Sequence, residues 1–280
     1  MLESEHASYI QRNVSNSLDE DIDTGDLSAQ LLPATLVSSA QIITRQEGVL
    51  CGTQWFDECF RKLDPNCEIN WLAKDGDRIF PGQTLCTVQG LARALLGAER
   101  NALNFLQTLS GTATQTRRHV DEVEGISVKI MDTRKTLPGL RHAQKYAVRV
   151  GGGHNQRIGL FDGILIKENH IAAAGGIQPV LEQAFRLAKP GVSVQIEVES
   201  LTQLDEALAA GAKLILLDNF DLDNLRAAVQ HTGKRAELEA SGGITLKNLR
   251  DVALTGVERI SIGSLTKDLQ TLDLSMRFST

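Results

Sequence analysis

The sequence predicts an α/β fold, an incomplete parallel α/β barrel that follows a smaller α+β layer domain. After Gly125, short apolar runs alternate with amphipathic helical segments, a rhythm typical of β-α units that build a parallel sheet. Before that point, short β-like runs surround a single helical stretch. No G-x-G-x-x-G motif follows the first strand of the repeating part, which favours a barrel over an open dinucleotide-binding sheet. The barrel is predicted to be incomplete because only six strands are found.

The first third of the chain carries the elements of the layer domain. Its β-like runs are residues 34–45, 67–73 and 84–88, with a helix near 54–62 and a turn at Asp75-Gly76. All four cysteines of the chain also lie here, without a C-x-x-C pair or a histidine at zinc-ligand spacing. We therefore expect reduced cysteines with a structural role.

A long helix is predicted over residues 91–124, because leucines recur on one face at the helical period. We expect Gly111 to break it. The repeating part then supplies six predicted strands, at residues 127–131, 163–167, 193–198, 213–217, 236–239 and 259–262. The clearest helices between them are residues 177–188, 201–210, 222–231 and 246–255.

Composition and charge exclude several broad classes of protein. With 280 residues, 42% of them hydrophobic, the chain can bury one large or two moderate cores. Its formal net charge of -6 argues against a nucleic-acid binder, which needs cations spread over a broad surface. The first thirty residues lack the pattern of a signal peptide, and no apolar run approaches membrane-spanning length. We expect a cytoplasmic protein that does not enter a membrane.

One segment contrasts with this acidic balance. Residues 133–161 contain six Arg or Lys and no Asp or Glu. Cations concentrated in one segment suit a small anionic ligand better than a polymer.

Polar residues follow the predicted strands, at the end of a barrel where active sites lie. They are Asp132-Thr133-Arg134-Lys135, Lys167-Glu168-Asn169-His170, Glu197 with Glu199, Asp218-Asn219, Ser241-Gly242-Gly243 and Gly263-Ser264. Loops are polar in general, so any single member has an ordinary explanation. The whole set, in which cations come first, carboxylates next and small residues last, is better explained by a functional site.

Each kind of residue in the set allows more than one role. The glycines suit a phosphate, although helix-capping turns look the same. The carboxylates of Glu197 and Asp218 could bind Mg²⁺, directly or through water, or accept hydrogen bonds from ribose hydroxyls. They could also simply pair with the neighbouring cations. Lys167 suits a Schiff-base nucleophile or a carboxylate ligand. Together they predict a ligand with a carboxylate-rich end and a phosphorylated end.

The motifs resemble those of the quinolinate phosphoribosyltransferases. The residues concerned are Asp-Thr-Arg-Lys-Thr-Leu-Pro-Gly-Leu-Arg at 132–141, Gly-Gly-Gly at 151–153, Leu-Ile-Lys-Glu-Asn-His at 165–170 and Leu-Asp-Asn-Phe at 217–220. The resemblance extends over nearly the whole chain. It implies an N-terminal α/β sandwich domain at 1–115, on which 268–280 pack back, and an α/β barrel catalytic domain at 116–267. It also implies a homodimer in which Arg100 completes the neighbouring subunit's site.

The implied reaction joins quinolinate to 5-phosphoribosyl 1-pyrophosphate with Mg²⁺, giving nicotinate mononucleotide, pyrophosphate and carbon dioxide in de novo NAD biosynthesis. The resemblance assigns quinolinate to Arg100, Arg134, Arg157 and Lys167. It assigns the phosphoribosyl donor and its metal to Lys135, Glu197, Asp218, Ser241, Gly242 and Gly263, among which Lys135, Glu197 and Asp218 are the expected catalytic residues. The remaining cations of the basic segment, Arg141, Lys145 and Arg149, are expected to face a surface or shape the field.

The sequence departs from the family's pattern at Gln156, where members commonly have His; here His154 stands two residues upstream. The resemblance therefore carries no imidazole contact to that position. Three alternatives remain open: a nicotinate phosphoribosyltransferase of the same fold, a Schiff-base aldolase that uses Lys167, and a non-catalytic anion-binding protein.

Overall fold

The computed structural model describes residues 3–278, so the predicted limits at residues 1 and 280 lie outside the described residues. The chain divides into two compact units. The first consists of Met1–Arg117, Leu137–Gly152 and Asp268–Thr280, and the second of Arg118–Thr136 and Gly153–Lys267. The sequence had placed residues 137–152 in the barrel. They belong to the first unit because their helix contributes Ala143 and Ala147 to its hydrophobic core.

The first unit is built on a four-stranded antiparallel sheet in the order β12-β1-β5-β3, with β2 and β4 forming a separate pair. The strands are β1 (Val37–Thr44), β2 (Gly48–Val49), β3 (Glu68–Trp71), β4 (Arg78–Ile79), β5 (Thr84–Leu91) and β12 (Leu274–Phe278). The helices are α1 (Glu3–Ile22), α2 (Thr53–Leu63), α3 (Ala92–Glu122) and α4 (Arg141–Val150), with a 3-10 turn at Ala29–Leu31. The three predicted strands and the helix near 54–62 are confirmed.

Helix α1 was not predicted, although its sequence contains the signal. Ile10, Val14 and Leu18 recur every four residues and are buried, while the rest of the helix is largely polar and exposed. Ile22 continues the series and also packs against the core. Spacing by four places these side chains on one face of a helix, and this face docks it. The polar composition of this stretch hid a narrow apolar stripe.

The predicted break at Gly111 is wrong, because α3 runs without interruption through that residue. A Cβ at position 111 would lie only 2.2 Å from the carbonyl oxygen of Gln270. The glycine therefore permits a close approach of two backbone segments. The four cysteines are free and buried, and burial raises the pKa of the Cys59 thiol to about 12, consistent with a structural role.

The second unit contains all six predicted strands of the repeating part. They are β6 (Lys129–Met131), β7 (Gly163–Ile166), β8 (Ser193–Val198), β9 (Leu214–Asp218), β10 (Glu237–Ser241) and β11 (Arg259–Ser261). All are parallel, in the order β6-β11-β10-β9-β8-β7. This is the order of a closed ring with one pairing missing, between β6 and β7. A doubly wound sheet would reverse its order near the middle, so the topology agrees with an incomplete barrel.

Helices follow the strands as the β-α rhythm predicts. They are α5 (Glu168–Ala174), α6 (Ile177–Leu187), α7 (Leu201–Ala209), α8 (Leu222–Thr232), α9 (Leu249–Ala253) and α10 (Ser264–Lys267). Their apolar faces and the strands share one hydrophobic core, which includes Leu181, Leu204, Leu225 and Ile215. Among residues 3–278, none of the helices is long and apolar enough to cross a membrane.

Candidate active site

A cavity of about 280 Å³ lies in the second unit, at the carboxyl ends of its parallel strands. Seven of the predicted site residues line it: Arg134, Lys135, Arg157, Lys167, Glu197, Asp218 and Ser241. Six of the seven belong to the polar set at the predicted strand ends, and Arg157 was predicted from the basic segment and the family resemblance. The remaining lining residues are Thr133, Gln156, Leu165, Leu216, Glu239 and Ser261.

Strand register explains how these side chains converge. Leu216 pairs with Glu197 on one side and with Glu239 on the other, and all three line the cavity. Two residues further along, Asp218 pairs with Ser241, and both line it again. Because neighbouring residues in register point to the same face and alternate residues share that face, the strands present two successive layers to the cavity.

Lys167 and Glu197 form an ion pair within the cavity. The Lys167 ammonium donates to both carboxylate oxygens of Glu197, at 2.9 and 2.7 Å. Glu197 is largely buried, with 11% of its side chain exposed, whereas Lys167 is 44% exposed. This ion pair occupies the amine of Lys167 with a carboxylate, whereas a Schiff base needs that nitrogen free to attack a carbonyl carbon.

Asp218 lies among groups of both signs. Burial raises the pKa of its carboxyl, and the charge of Glu199 adds to this, while Lys167 and Lys135 oppose the rise. Its Oδ2 accepts a hydrogen bond of 2.8 Å from Nδ2 of Asn219. The carboxylate is therefore held by the adjacent residue and surrounded by the cations of the same cavity.

Arg134 and Arg157 supply concentrated positive charge. Burial lowers the pKa of the Arg157 guanidinium, and the nearby charge of Arg134 lowers it further. The Nη1 atom of Arg157 donates to the carbonyl oxygen of Gly163, at 3.1 Å, which directs the side chain. Two guanidinium groups that repel each other across a cavity favour an anion between them, and a carboxylate matches their fork of donors.

A polar network that the sequence did not predict also borders the cavity. Nε2 of Gln156 donates to Oε1 of Gln195 at 2.9 Å and to Oε1 of Glu239 at 2.7 Å. Nε2 of Gln195 also donates to Glu239, at 3.0 Å, and Nε of Arg259 lies 3.1 Å from the same carboxylate. Glu239 is fully buried. Gln195 and Glu239 were not predicted. Gln195 lies two residues before Glu197 in β8 and Glu239 lies in β10, so polar residues at alternate positions of these strands were the available signal.

Comparison with known proteins places the chain in a family. A family model described as quinolinate phosphoribosyl transferase, C-terminal domain, matches residues 112–277, and the corresponding N-terminal domain model matches residues 26–110. The chain belongs to the quinolinate phosphoribosyl transferase family.

Relatives agree over nearly the whole length. The chain is 45% identical, over 92% of its length and 89% of the relative, to a probable nicotinate-nucleotide pyrophosphorylase [carboxylating] of Bacillus subtilis. It is 44% identical to the nicotinate-nucleotide pyrophosphorylase [carboxylating] of Mycobacterium leprae, over 94% and 95% of the two chains. A solved structure of the nicotinate-nucleotide pyrophosphorylase from Francisella tularensis superimposes with a TM-score of 0.94 at 44% identity, covering 98% of this chain and 97% of that chain.

Three predicted residues of this quinolinate phosphoribosyl transferase family member lie outside the cavity lining. Arg100 is exposed on α3 of the first unit. A Cβ on Gly263 would lie 3.0 Å from Cδ of Lys135, so this glycine leaves room for the lysine. Gly242 has a φ of +97°, and a Cβ there would lie 2.1 Å from Oδ1 of Asn219. Both glycines make space for neighbouring polar side chains.

The expected surface role of the other cations in the basic segment is wrong for Lys145. Arg149 is exposed on α4, but Lys145 on the same helix is only 2% exposed. At this exposure the ammonium is buried together with the apolar stem, so Lys145 does not face solvent.

Metal ligands are few in the described structure. Within residues 3–278, no three His, Cys, Asp or Glu side chains are grouped so that they could hold a metal ion. Glu197 and Asp218 both line the cavity, and carboxylate oxygens are what Mg²⁺ prefers. Two carboxylates fit an ion that keeps water or substrate oxygens as its other ligands.

Proposed function

We propose that this protein transfers the phosphoribosyl group of 5-phosphoribosyl 1-pyrophosphate to quinolinate and releases carbon dioxide. The products are nicotinate mononucleotide and pyrophosphate, and the reaction is a step of de novo NAD biosynthesis. The observation that carries the proposal is one cavity in a member of this family, where Arg134, Lys135, Arg157 and Lys167 converge beside Glu197 and Asp218.

Quinolinate binds at the cationic end of the cavity. Arg134 and Arg157 pair with its two carboxylates, and Lys167 adds a third positive charge close by. A dicarboxylate loses much hydration on binding, and guanidinium groups compensate through paired, charge-assisted hydrogen bonds. The protein acts as a homodimer, and Arg100 of the neighbouring subunit completes this end of the site.

The phosphoribosyl donor binds at the other end. Lys135 neutralises phosphate oxygens, and the hydroxyl of Ser241, which lines the same cavity, donates to them. Gly242 and Gly263 border this end of the site, and because neither carries a Cβ they leave room for Asn219 and Lys135. Glu197 and Asp218 would hold Mg²⁺, directly or through water. When bound, Mg²⁺ would offset the negative charge of the pyrophosphate.

The chain's own residues then support the chemistry in order. As the bond from the anomeric carbon to pyrophosphate breaks, positive charge develops on the ribosyl ring beside the carboxylates of Glu197 and Asp218. The quinolinate ring nitrogen, held in place by the two arginines, attacks that carbon. The ring nitrogen becomes cationic, and the adjacent carboxylate leaves as carbon dioxide. The electron pair of the broken carbon–carbon bond takes a proton, which Lys135 or Lys167 guides.

The alternatives fit the cavity less well. A nicotinate phosphoribosyltransferase needs one carboxylate partner, whereas this cavity offers several clustered cations. A Schiff-base aldolase needs a lysine nitrogen free to attack a carbonyl carbon, but the amine of Lys167 donates to both oxygens of Glu197. A protein that only binds anions needs no carboxylate pair facing the cations. Each alternative therefore leaves some of the charged residues that line the cavity without a role.

The test is release of labelled carbon dioxide from carboxyl-labelled quinolinate, in parallel with an assay of nucleotide formation from nicotinate. We expect release that requires the phosphoribosyl donor and a divalent cation, with little nucleotide from nicotinate. Arg149→Ala serves as a matched control for Arg157→Ala, since both remove one arginine of the basic segment but only Arg157 lines the cavity. Equal or better turnover of nicotinate without carbon dioxide release would replace the proposal by the nicotinate enzyme.

A further inference from the structure

The barrel ring lacks a pairing between β6 and β7, and in the sequence these two strands are connected by the basic segment, whose middle belongs to the first unit. Strand β6 pairs with β11 on one side only. On its other side it contacts His154, whose N–H donates to the carbonyl oxygen of Ile130 at 2.8 Å and whose carbonyl oxygen accepts from N–H of Asp132 at 3.0 Å. A short irregular segment thus stands where a neighbouring strand would be.

Asp132 ties that segment to the end of β6. Its carboxylate is fully buried, with Oδ1 accepting 2.8 Å from the backbone N–H of Gln156 and Oδ2 accepting 2.6 Å from Nδ2 of Asn155. Both bonds go to the residues directly before Arg157. Asp132 itself stands two residues before Arg134. One buried carboxylate therefore joins the two stretches that carry the cavity's arginines.

The side chain of Gln156 also holds this segment, through hydrogen bonds to β8 and β10. Its amide nitrogen uses its two hydrogens on Gln195 and Glu239, so neither remains for a ligand. Its Oε1 accepts from the backbone N–H of Arg157 at 3.3 Å. Gln156 lines the cavity, but its polar atoms are committed to holding the segment.

We propose that Asp132 is a positioning residue for the dicarboxylate end of the site, which fixes residues 155–157 against β6 so that Arg134 and Arg157 face the substrate together. The inference rests on the proposed function, because it takes quinolinate as the ligand of the two arginines. A small displacement of a positioned group costs about a hundredfold in an enzyme reaction. Burial and two hydrogen bonds make the Asp132 carboxylate the element that prevents such a displacement.

The test exchanges the two side chains that meet. Asp132→Asn keeps the shape but places an amide where Oδ2 accepts from Asn155, so two donors oppose each other. The double variant Asp132→Asn with Asn155→Asp restores one donor and one acceptor and leaves the net charge unchanged. Asp64→Asn is the matched control: Asp64 is 5% exposed, lies in the first unit and accepts from the backbone N–H groups of Asn66 and Leu91.

KM for quinolinate, KM for the phosphoribosyl donor and the unfolding temperature are measured for each variant. We expect Asp132→Asn to raise KM for quinolinate about tenfold or more while KM for the donor changes much less, and the double variant to recover most of the loss. Asp64→Asn lowers the unfolding temperature and leaves both KM values unchanged. The positioning role is overturned if Asp132→Asn keeps the wild-type KM for quinolinate, or raises both KM values equally.

The wild-type protein, assayed for carbon dioxide release in the same series, separates the two proposals. If it releases carbon dioxide while Asp132→Asn keeps its KM for quinolinate, only the positioning role falls. If it releases none with donor and Mg²⁺ present, the proposed function falls and the positioning role falls with it.

Discussion

At the scale of single residues, the charged side chains of the cavity pair with one another or shift one another's pKa values. Lys167 is paired with Glu197, and Asp218 lies near Lys167 and Lys135. The arginines are different, because Arg134 and Arg157 repel each other and so favour an anionic ligand. Residues at the predicted strand ends supplied most of these charges, and the basic segment and the family resemblance supplied Arg157.

Removing one arginine is expected to weaken the site for quinolinate specifically. Truncating one partner of a buried, hydrogen-bonded charge pair costs about 2–5 kcal/mol. We expect Arg134→Ala to lose kcat/KM for quinolinate by an amount in that range, with the donor's KM changed little. Steady-state kinetics checks this, with Arg149→Ala expected to behave as the wild type. Normal quinolinate turnover by Arg134→Ala would remove its assigned role.

Gly242 gives a second prediction at this scale. Both Gly242 and Gly243 have positive φ, at +97° and +61°, but a Cβ on Gly242 would lie 2.1 Å from Asn219 whereas one on Gly243 meets nothing within 4 Å. Alanine at either position therefore costs about 1–2 kcal/mol of backbone strain, and at 242 about 1–3 kcal/mol more from overpacking. Chemical denaturation of Gly242→Ala and Gly243→Ala measures the difference. Equal stabilities would contradict the close contact.

At the scale of elements, periodicity predicted the strands and helices that present a broad apolar face. All six barrel strands were found this way, and their polar ends located the cavity. Periodicity missed α1, whose apolar stripe is narrow, and the strands β2, β4 and β12, and it wrongly predicted a break in α3. Glycine is a poor helix former by local propensity, but tertiary contact required it at position 111. Local preference does not reveal a backbone that approaches from a distant part of the chain.

The contact between Gly111 and the backbone of Gln270 can be tested by comparing two glycine substitutions within α3. Alanine is normally favoured over glycine in a helix interior by about 1 kcal/mol. Gly97→Ala in α3 should follow that rule, since its nearest neighbour would be a leucine methyl group at 3.3 Å. Gly111→Ala should instead destabilise by about 1–3 kcal/mol, because its Cβ would lie 2.2 Å from a backbone oxygen. Thermal or chemical unfolding compares the two. A stabilising Gly111→Ala would contradict the packing of residue 270 against α3.

At the scale of the whole molecule, the division of the chain into two units determines which residues of the basic segment line the cavity. In the sequence the segment connects β6 to β7, and the ends that belong to the second unit carry Arg134, Lys135 and Arg157. Its middle forms α4 in the first unit, so only part of the cationic run lines the cavity. The charge run was visible in the sequence, but the division of its residues between two units was not, because it depends on long-range packing.

The most direct measurement of the central claim counts three products in one assay of purified protein supplied with quinolinate, phosphoribosyl donor and Mg²⁺. The account predicts equal amounts of carbon dioxide, pyrophosphate and nicotinate mononucleotide, with none formed when the donor is left out. Pyrophosphate and nucleotide formed without carbon dioxide, or carbon dioxide released without donor, would contradict it.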